Sequence, residues 1–308
     1  MSDDLFRDRA IGSFIGLAIG DALGTTVEFK DRDTFPIVTD ITGGGPFRLV
    51  PGQWTDDTSM AVCLAESLIT YPTLNEIDLM TRFLDWYENG TNSPTGRCFD
   101  IGNATVSALL RFKFSKNPIA GSTDFFNAGN GSIMRLSPLV VRWWKNFSIY
   151  QDIAIRQSKT THASPECLES CILLARIIAS AIEGKGKNAL DSGIGNAIDS
   201  ILSLKAKKVI SIANGDYKSF SREFIKSSGY VIDTLEAACW CVFTSDDFES
   251  AVLKAVNLGD DADTVGAVTG QIAGAVWGYS SIPDNWVKIL YDHDRLHAIA
   301  EILYEAGE

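Results

Sequence analysis

Trp54-Thr55-Asp56-Asp57-Thr58-Ser59-Met60-Ala61-Val62-Cys63-Leu64-Ala65-Glu66-Ser67-Leu68-Ile69 changes character at Thr58. From 58 to 69 apolar side chains recur three and four positions apart, the period of an α-helix with one buried face. The polar cluster running from Gly52 through Thr58 therefore opens a helix. Adjacent carboxylates repel each other, so placing Asp56 beside Asp57 is costly unless a cation or a helix N-terminus compensates. A doubled helix cap is the plainer reading of this one stretch. A second cluster shifts the balance: Gly259-Asp260-Asp261-Ala262-Asp263-Thr264 supplies three more carboxylates and a hydroxyl, again just before a helix-like stretch, 265–276, rich in small residues.

Working outward, the helical period returns over 6–23, 76–87, 165–182, 231–242 and 248–256, while strand-like alternation is scarce. Pro165 followed by Glu166 and Glu169 has the composition of a helix start, and Asp246-Asp247 sets the start of another. Glycine and proline gather at 42–46, 89–96 and 129–131, which mark loops. No internal repeat or low-complexity tract divides the chain, so the expectation is one compact all-α domain over 1–308. The polar runs 183–187 and 214–221 are expected to be exposed loops or insertion points.

The 308 residues carry a net charge of -12 and a pI near 4.7, which oppose stable binding to a nucleic-acid backbone. A phosphate-bearing ligand would need a local device, such as backbone N–H groups. Met1-Ser2-Asp3-Asp4 lacks a signal peptide's basic start, and no apolar run is read as approaching the roughly 20 residues of a membrane span. A cytoplasmic protein without a membrane partner is the expectation. The six cysteines fall mostly in apolar helical stretches with no zinc-type spacing, consistent with reduced core thiols.

Neither acidic cluster contains His or Cys. Oxygen ligands alone point to Mg²⁺ or Mn²⁺ rather than zinc. Two clusters distant in sequence could meet in a helical bundle and hold a pair of ions about 3.5–4 Å apart around a bridging water. A calcium-binding EF-hand loop fits poorly, since Val265 and Ala267 follow the second cluster. Asp261-Ala262-Asp263-Thr264-Val265 also resembles the DxDx[TV] nucleophile motif of haloacid dehalogenase-like phosphatases, but too little chain follows it for the remaining motifs.

Taken in order, several stretches across nearly the whole chain are similar to the ADP-ribosylglycohydrolase family. They are Gly16-Leu17-Ala18-Ile19-Gly20-Asp21-Ala22-Leu23-Gly24 with Glu28 just after, Trp54-Thr55-Asp56-Asp57-Thr58, Cys98-Phe99-Asp100-Ile101-Gly102, Gly129-Asn130-Gly131-Ser132-Ile133-Met134-Arg135, Thr161-His162 and Asp261-Ala262-Asp263-Thr264. The resemblance implies an all-α fold with a binuclear Mg²⁺ or Mn²⁺ centre at the base of an ADP-ribose cleft. Thr55, Asp56 and Asp57 would bind metal from one side and Asp261, Asp263 and Thr264 from the other, while Asp260, where several members have glycine, is not counted as a ligand.

Glu28 between Val27 and Phe29 sits in an apolar setting that would raise its pKa, although a solvated glutamate beside Lys30 is the plain alternative. The resemblance makes Glu28 and Asp100 catalytic, Asp100 because its motif is similar to one facing the scissile bond in arginine-specific members; by itself it would read as a cap for a helix starting near Gly102. Gly129, Asn130, Gly131 and Ser132, feeding a helix expected over 133–141, would bind pyrophosphate through N–H groups, with Met134 and His162 also touching the ligand. Trp143-Trp144 and Trp240 read as core or surface aromatics, and which aromatic stacks on adenine stays open. The implied reaction removes ADP-ribose from an ADP-ribosylated protein, from arginine before serine or another O-linkage, releasing ADP-ribose. A catalytically silent ADP-ribose binder and a phosphatase are the rival readings.

Overall fold

The computed structural model describes residues 3–193 and 204–307. Its α-helices are α1 (Asp3–Gly24), α2 (Asp56–Thr70), α3 (Glu76–Asn89), α4 (Asn103–Ser115), α5 (Ser137–Trp143), α6 (Phe147–Thr161), α7 (Pro165–Ser180), α8 (Lys207–Ala213), α9 (Val231–Phe243), α10 (Phe248–Val256), α11 (Ala262–Trp277), α12 (Asp284–Ile289) and α13 (His293–Glu305). Among the described residues there is no strand, only isolated bridges. The expected all-α domain is therefore observed.

Its centre is the pair α1 and α11. From Gly12 on, every fourth residue of α1 is glycine, and Gly12, Gly16, Gly20 and Gly24 meet Gly274, Gly270, Gly266 and Ala262 in antiparallel order. A Cβ on Gly16 would stand 2.2 Å from the Gly270 carbonyl oxygen, and one on Gly20 2.0 Å from that of Gly266. Backbone packs directly on backbone, which is why the stretch after Asp263 is rich in small residues. The antiparallel run sets the C-terminal end of α1 against the N-terminal start of α11, so residues 21–28 face 261–264. Around this pair α7, α9 and α10 cover α11, while α5 and α13 pack on α1.

The expectation that no apolar run reaches membrane-spanning length is corrected here. The helical run Asp3–Val27 is long and apolar enough by length and composition, but 94% of its window is buried inside the protein. From Ala10 on it is apolar almost all round because that part is the core.

Helix starts follow local chemistry. Ser164 caps α7 by accepting from the Cys167 N–H with Pro165 at the first helical position, and Asp247 caps α10 by accepting from the Ser250 N–H. Three expectations shift. The helix expected over 133–141 runs instead over Ser137–Trp143, because the Gln271 side chain accepts from the Ser137 N–H and donates to the carbonyls of Ile133 and Met134. Residues 183–187 lie in a π-helical turn, Ala181–Lys185, and the 3-10 run after it, where the Lys187 ammonium donates to the Ser245 carbonyl. Residues 214–221 hold a 3-10 turn, Asp216–Ser219, anchored by buried Tyr217.

Candidate active site

The first turns of α2 and α11 face each other. Thr55 Oγ1 lies 3.1 Å from Asp263 Oδ2, and the Thr264 hydroxyl donates to Asp57 Oδ2 at 3.4 Å. The Asp263 N–H in turn donates to Glu28 Oε2 at 3.2 Å. Donor oxygens of Glu28, Asp261 and Asp263 all lie within 4.8 Å of one another. Two clusters about two hundred residues apart thus form one constellation, at the base of a cavity of about 890 Å³. That volume suits a ligand of nucleotide size.

Asp21, to which the sequence reading gave no role, organises this wall. It is fully buried; Oδ1 accepts from the Thr55 N–H at 2.8 Å, and Oδ2 accepts from the Thr58 N–H at 3.0 Å and the Thr58 hydroxyl at 2.6 Å. It therefore caps α2 from outside the helix, leaving Asp56 and Asp57 free of that task. The only sequence signal was a single charged residue inside the glycine-repeat stretch 10–24 of α1.

The electrostatics are one-sided. No lysine or arginine is among the described residues lining the cavity. Each pair of carboxylates about 4 Å apart costs about 4 kcal/mol at an effective dielectric of about 20, so the cluster must either hold protons or meet a cation. Burial, then the neighbouring Asp263, pushes Asp21 and Asp261 up to about 7. Burial, then Asp263 and Asp56, pushes Asp100 up to about 11, and Glu28, Asp56 and Asp57 are also raised, by burial first. Asp57 Oδ1 and Asp100 Oδ2 are buried with no hydrogen-bond partner. Oxygen donors that are buried, orphaned and mutually repelling fit a hard divalent cation.

Glu28, Asp56, Asp100, Asp261, Asp263 and Thr264 line the cavity, while Thr55 and Asp57 stand just behind it. Glu28 is 3% exposed, not a solvated partner of Lys30. Asp100 does not cap α4, whose N-cap is Gly102; it takes a left-handed backbone, φ 60°, that turns the chain at the cavity edge. Asp260 is exposed at the rim, and its N–H donates to the Lys30 carbonyl.

Gly129, Asn130, Gly131, Met134 and His162 form the opposite wall. The Asn130 amide donates to Thr234 Oγ1 at 2.9 Å and to Asp261 Oδ2 at 2.6 Å, tying this loop to the acidic wall. The Ser132 side chain turns away from the cavity into the core, where its hydroxyl oxygen accepts from Ser158 at 2.9 Å. Only its backbone is left for a ligand; neither its N–H nor that of Gly131 meets an acceptor among the described residues. The tryptophans singled out in the sequence lie off the cavity. The flanking aromatics are Phe29 and Phe47 on one side, and Phe125, Phe126 and Tyr230 in an adjoining groove on the other. Sequence reading missed them because nothing in their spacing separates them from core aromatics.

Two acidic helix starts thus meet under a nucleotide-sized cavity on a helical scaffold. The chain is a member of the ADP-ribosylglycohydrolase family, whose model matches residues 1–308. It is 46% identical to the ADP-ribosylarginine hydrolase Tri1 of Serratia proteamaculans, over 96% of this chain and 79% of that one. It is 32% identical to the ADP-ribosyl-[dinitrogen reductase] glycohydrolase of Rhodospirillum rubrum, over 94% of this chain and 92% of that one. A solved structure described as an ADP-ribosylglycohydrolase-related protein complex superposes with a TM-score of 0.87 at 39% identity, covering 99% of this chain and 100% of that one.

Proposed function

We propose that this protein hydrolyses the N-glycosidic bond joining ADP-ribose to an arginine side chain of a modified protein, with two Mg²⁺ or Mn²⁺ ions held by Thr55, Asp56, Asp57, Asp261, Asp263 and Thr264. The observation that carries the reading is the meeting of the two acidic helix starts beneath one cavity that Asp100 also enters. The likeness to an ADP-ribosylarginine hydrolase supports the linkage.

Divalent ions bound there would polarise a water and anchor ribose hydroxyls. The protein's own groups do the rest. Hydrolysis puts the water's hydroxyl on C1″ of the distal ribose and its proton on the departing guanidine. Asp100 is placed to handle that proton, and its carboxylate form stabilises the positive charge that appears on the leaving group. Glu28, bonded to the Asp263 backbone, holds the start of α11 against α1 and offers a second carboxyl at the reacting end. The unpaired N–H groups of Gly131 and Ser132 suit the pyrophosphate. Phe125, Phe126 and Tyr230, beside the same loop, offer aromatic faces to adenine.

The test is ADP-ribose release from matched arginine-linked and serine-linked substrates with Mg²⁺, with Mn²⁺ and with chelator. Release from the arginine substrate that chelator abolishes is the expected result, and Asp100→Asn should lower kcat by about 10²–10⁴-fold with ADP-ribose Kd nearly unchanged. Release from serine alone would overturn the linkage. Tight ADP-ribose binding with no turnover of either would make the chain a silent binder.

A further inference from the structure

Arg135 is completely buried and, among the described residues, has no carboxylate partner within salt-bridge distance. Its guanidinium donates to Gln157 Oε1 at 3.0 Å, to the Gln157 carbonyl at 3.1 Å and to Thr161 Oγ1 at 2.8 Å, and lies 4.7 Å from the Phe83 ring centroid. A buried cation without a counter-ion is costly, so its position calls for an account.

Hydrogen-bond direction supplies one. Arginine only donates, so Thr161 Oγ1 accepts from it. The same oxygen lies 2.8 Å from His162 Nδ1, and the hydroxyl proton has no other acceptor among the described residues. Thr161 therefore donates to Nδ1, which must be bare, and the neutral ring carries its proton on Nε2. His162 is 3% exposed and lines the cavity, and Nε2 meets no hydrogen-bond partner among the described residues. A Cβ on Gly131 would stand 2.7 Å from His162 Cε1 and 3.2 Å from Nε2, and one on Gly129 3.3 Å from Nε2. The two glycines leave room for this ring, a second reason for them besides close approach to phosphate.

We infer that Arg135 and Thr161 are positioning residues that fix His162 as an Nε2–H donor facing the cavity, where it donates to an anionic or hydroxyl oxygen of the ligand. Resting on the ADP-ribose reading above, the acceptor is an oxygen of the pyrophosphate or of a ribose. The arrangement lets a cation act on the ligand through two hydrogen bonds without standing in the cavity, where it would pair with the carboxylates that need a metal. Burial, then the nearby guanidinium, lowers the His162 pKa to about 3, in keeping with a ring that stays a neutral donor.

The experiment uses the full chain with ¹⁵N-labelled histidine and Mg²⁺, and reads the ring nitrogens by two-bond ¹H–¹⁵N correlation. With three histidines in the sequence, His162 is assigned by the signals missing from His162→Gln. The expected wild-type pattern is a protonated Nε2 and a bare Nδ1, unchanged from pH 5 to 8. Thr161→Ser should keep this pattern and the ADP-ribose affinity. Thr161→Val should move or mix the tautomers and weaken ADP-ribose binding about tenfold, with far-UV circular dichroism unchanged. Arg135→Met should shift the same signals; because losing the buried fork endangers folding, Thr161→Val is the deciding variant. A wild-type ring protonated on Nδ1, ring signals unmoved in Thr161→Val, or a moved tautomer with unchanged ADP-ribose affinity would each overturn the inference. Expected ring signals in a wild-type chain that binds no ADP-ribose would instead overturn the proposed function and leave the tautomer assignment standing.

Discussion

The two walls of the cavity solve opposite problems. The acidic wall, at the starts of α2 and α11, gathers carboxylates that repel one another and leaves Asp57 Oδ1 without a partner. The loop wall, 129–135, uses neutral groups almost throughout: Gln157 and Gln271 amides fix its backbone, the Asn130 amide ties it to Asp261, and its one charge, on Arg135, stays a layer behind the surface. The acidic wall crowds like charges that call for a cation, whereas the loop wall has its shape fixed by neutral partners and keeps only donors, the Gly131 and Ser132 N–H groups, open towards a ligand. Function concentrates strain on the first and preorganisation on the second.

The largest effect that can break this contrast is expected from Asp57→Ala. Loss of a carboxylate from the proposed metal ligands should lower turnover about 10³-fold, several kcal/mol of transition-state stabilisation. In chelator the same variant should be more stable than wild type by about 1 kcal/mol, because a buried carboxylate held by one long hydrogen bond, with its other oxygen orphaned, has gone. Activity and urea unfolding read on the same preparations decide it, and a variant less stable than wild type in chelator would show that Asp57 is structural.

Next comes Asp21→Asn, which keeps the shape of the side chain but can no longer accept at both oxygens from Thr55 and Thr58. Mn²⁺ affinity, measured calorimetrically, should fall about 10–100-fold. Unchanged Mn²⁺ affinity would confine Asp21 to holding the helix start.

A third test of the acidic wall is stability against pH. Without metal, Asp21 and Asp261, pushed up to about 7, keep protons in the folded chain that the unfolded chain releases near its ordinary value of about 4. The folded state therefore binds more protons in that window. Their contribution is fully present below about pH 4 and lost as pH rises through 7, at up to about 1.4 kcal/mol per proton and pH unit. The gain in Tm on adding Mg²⁺ should thus widen from pH 5 to pH 8. The low value at His162 acts in both samples and cancels from the difference. Parallel curves would mean that the acidic wall carries no such linkage.

Much of this molecule was legible before any coordinates. The 3.6-residue period marked out the larger helices, and the paired aspartates marked the two helix starts that the fold brings together under one cavity. Residues 133–136 were misread as helix, since the side chain that occupies their backbone groups, Gln271, comes from more than a hundred residues away. Asp21 was overlooked for the same reason: its partners Thr55 and Thr58 lie on another helix. Ser132 read as a ligand contact, and its hydroxyl faces the core because Ser158 of α6 stands there.

The sequence by itself determined where the larger helices run, where carboxylates accumulate, and that glycine recurs every fourth position from 12 to 24 in α1. Periodicity, charge and the lack of a side chain are local properties. Only the tertiary structure decided that the glycines of α1 and α11 interlock, and with what direction and register. That contact, made backbone to backbone with no side chain between, brings Glu28 to Asp263 and sets Asp21 where it caps α2.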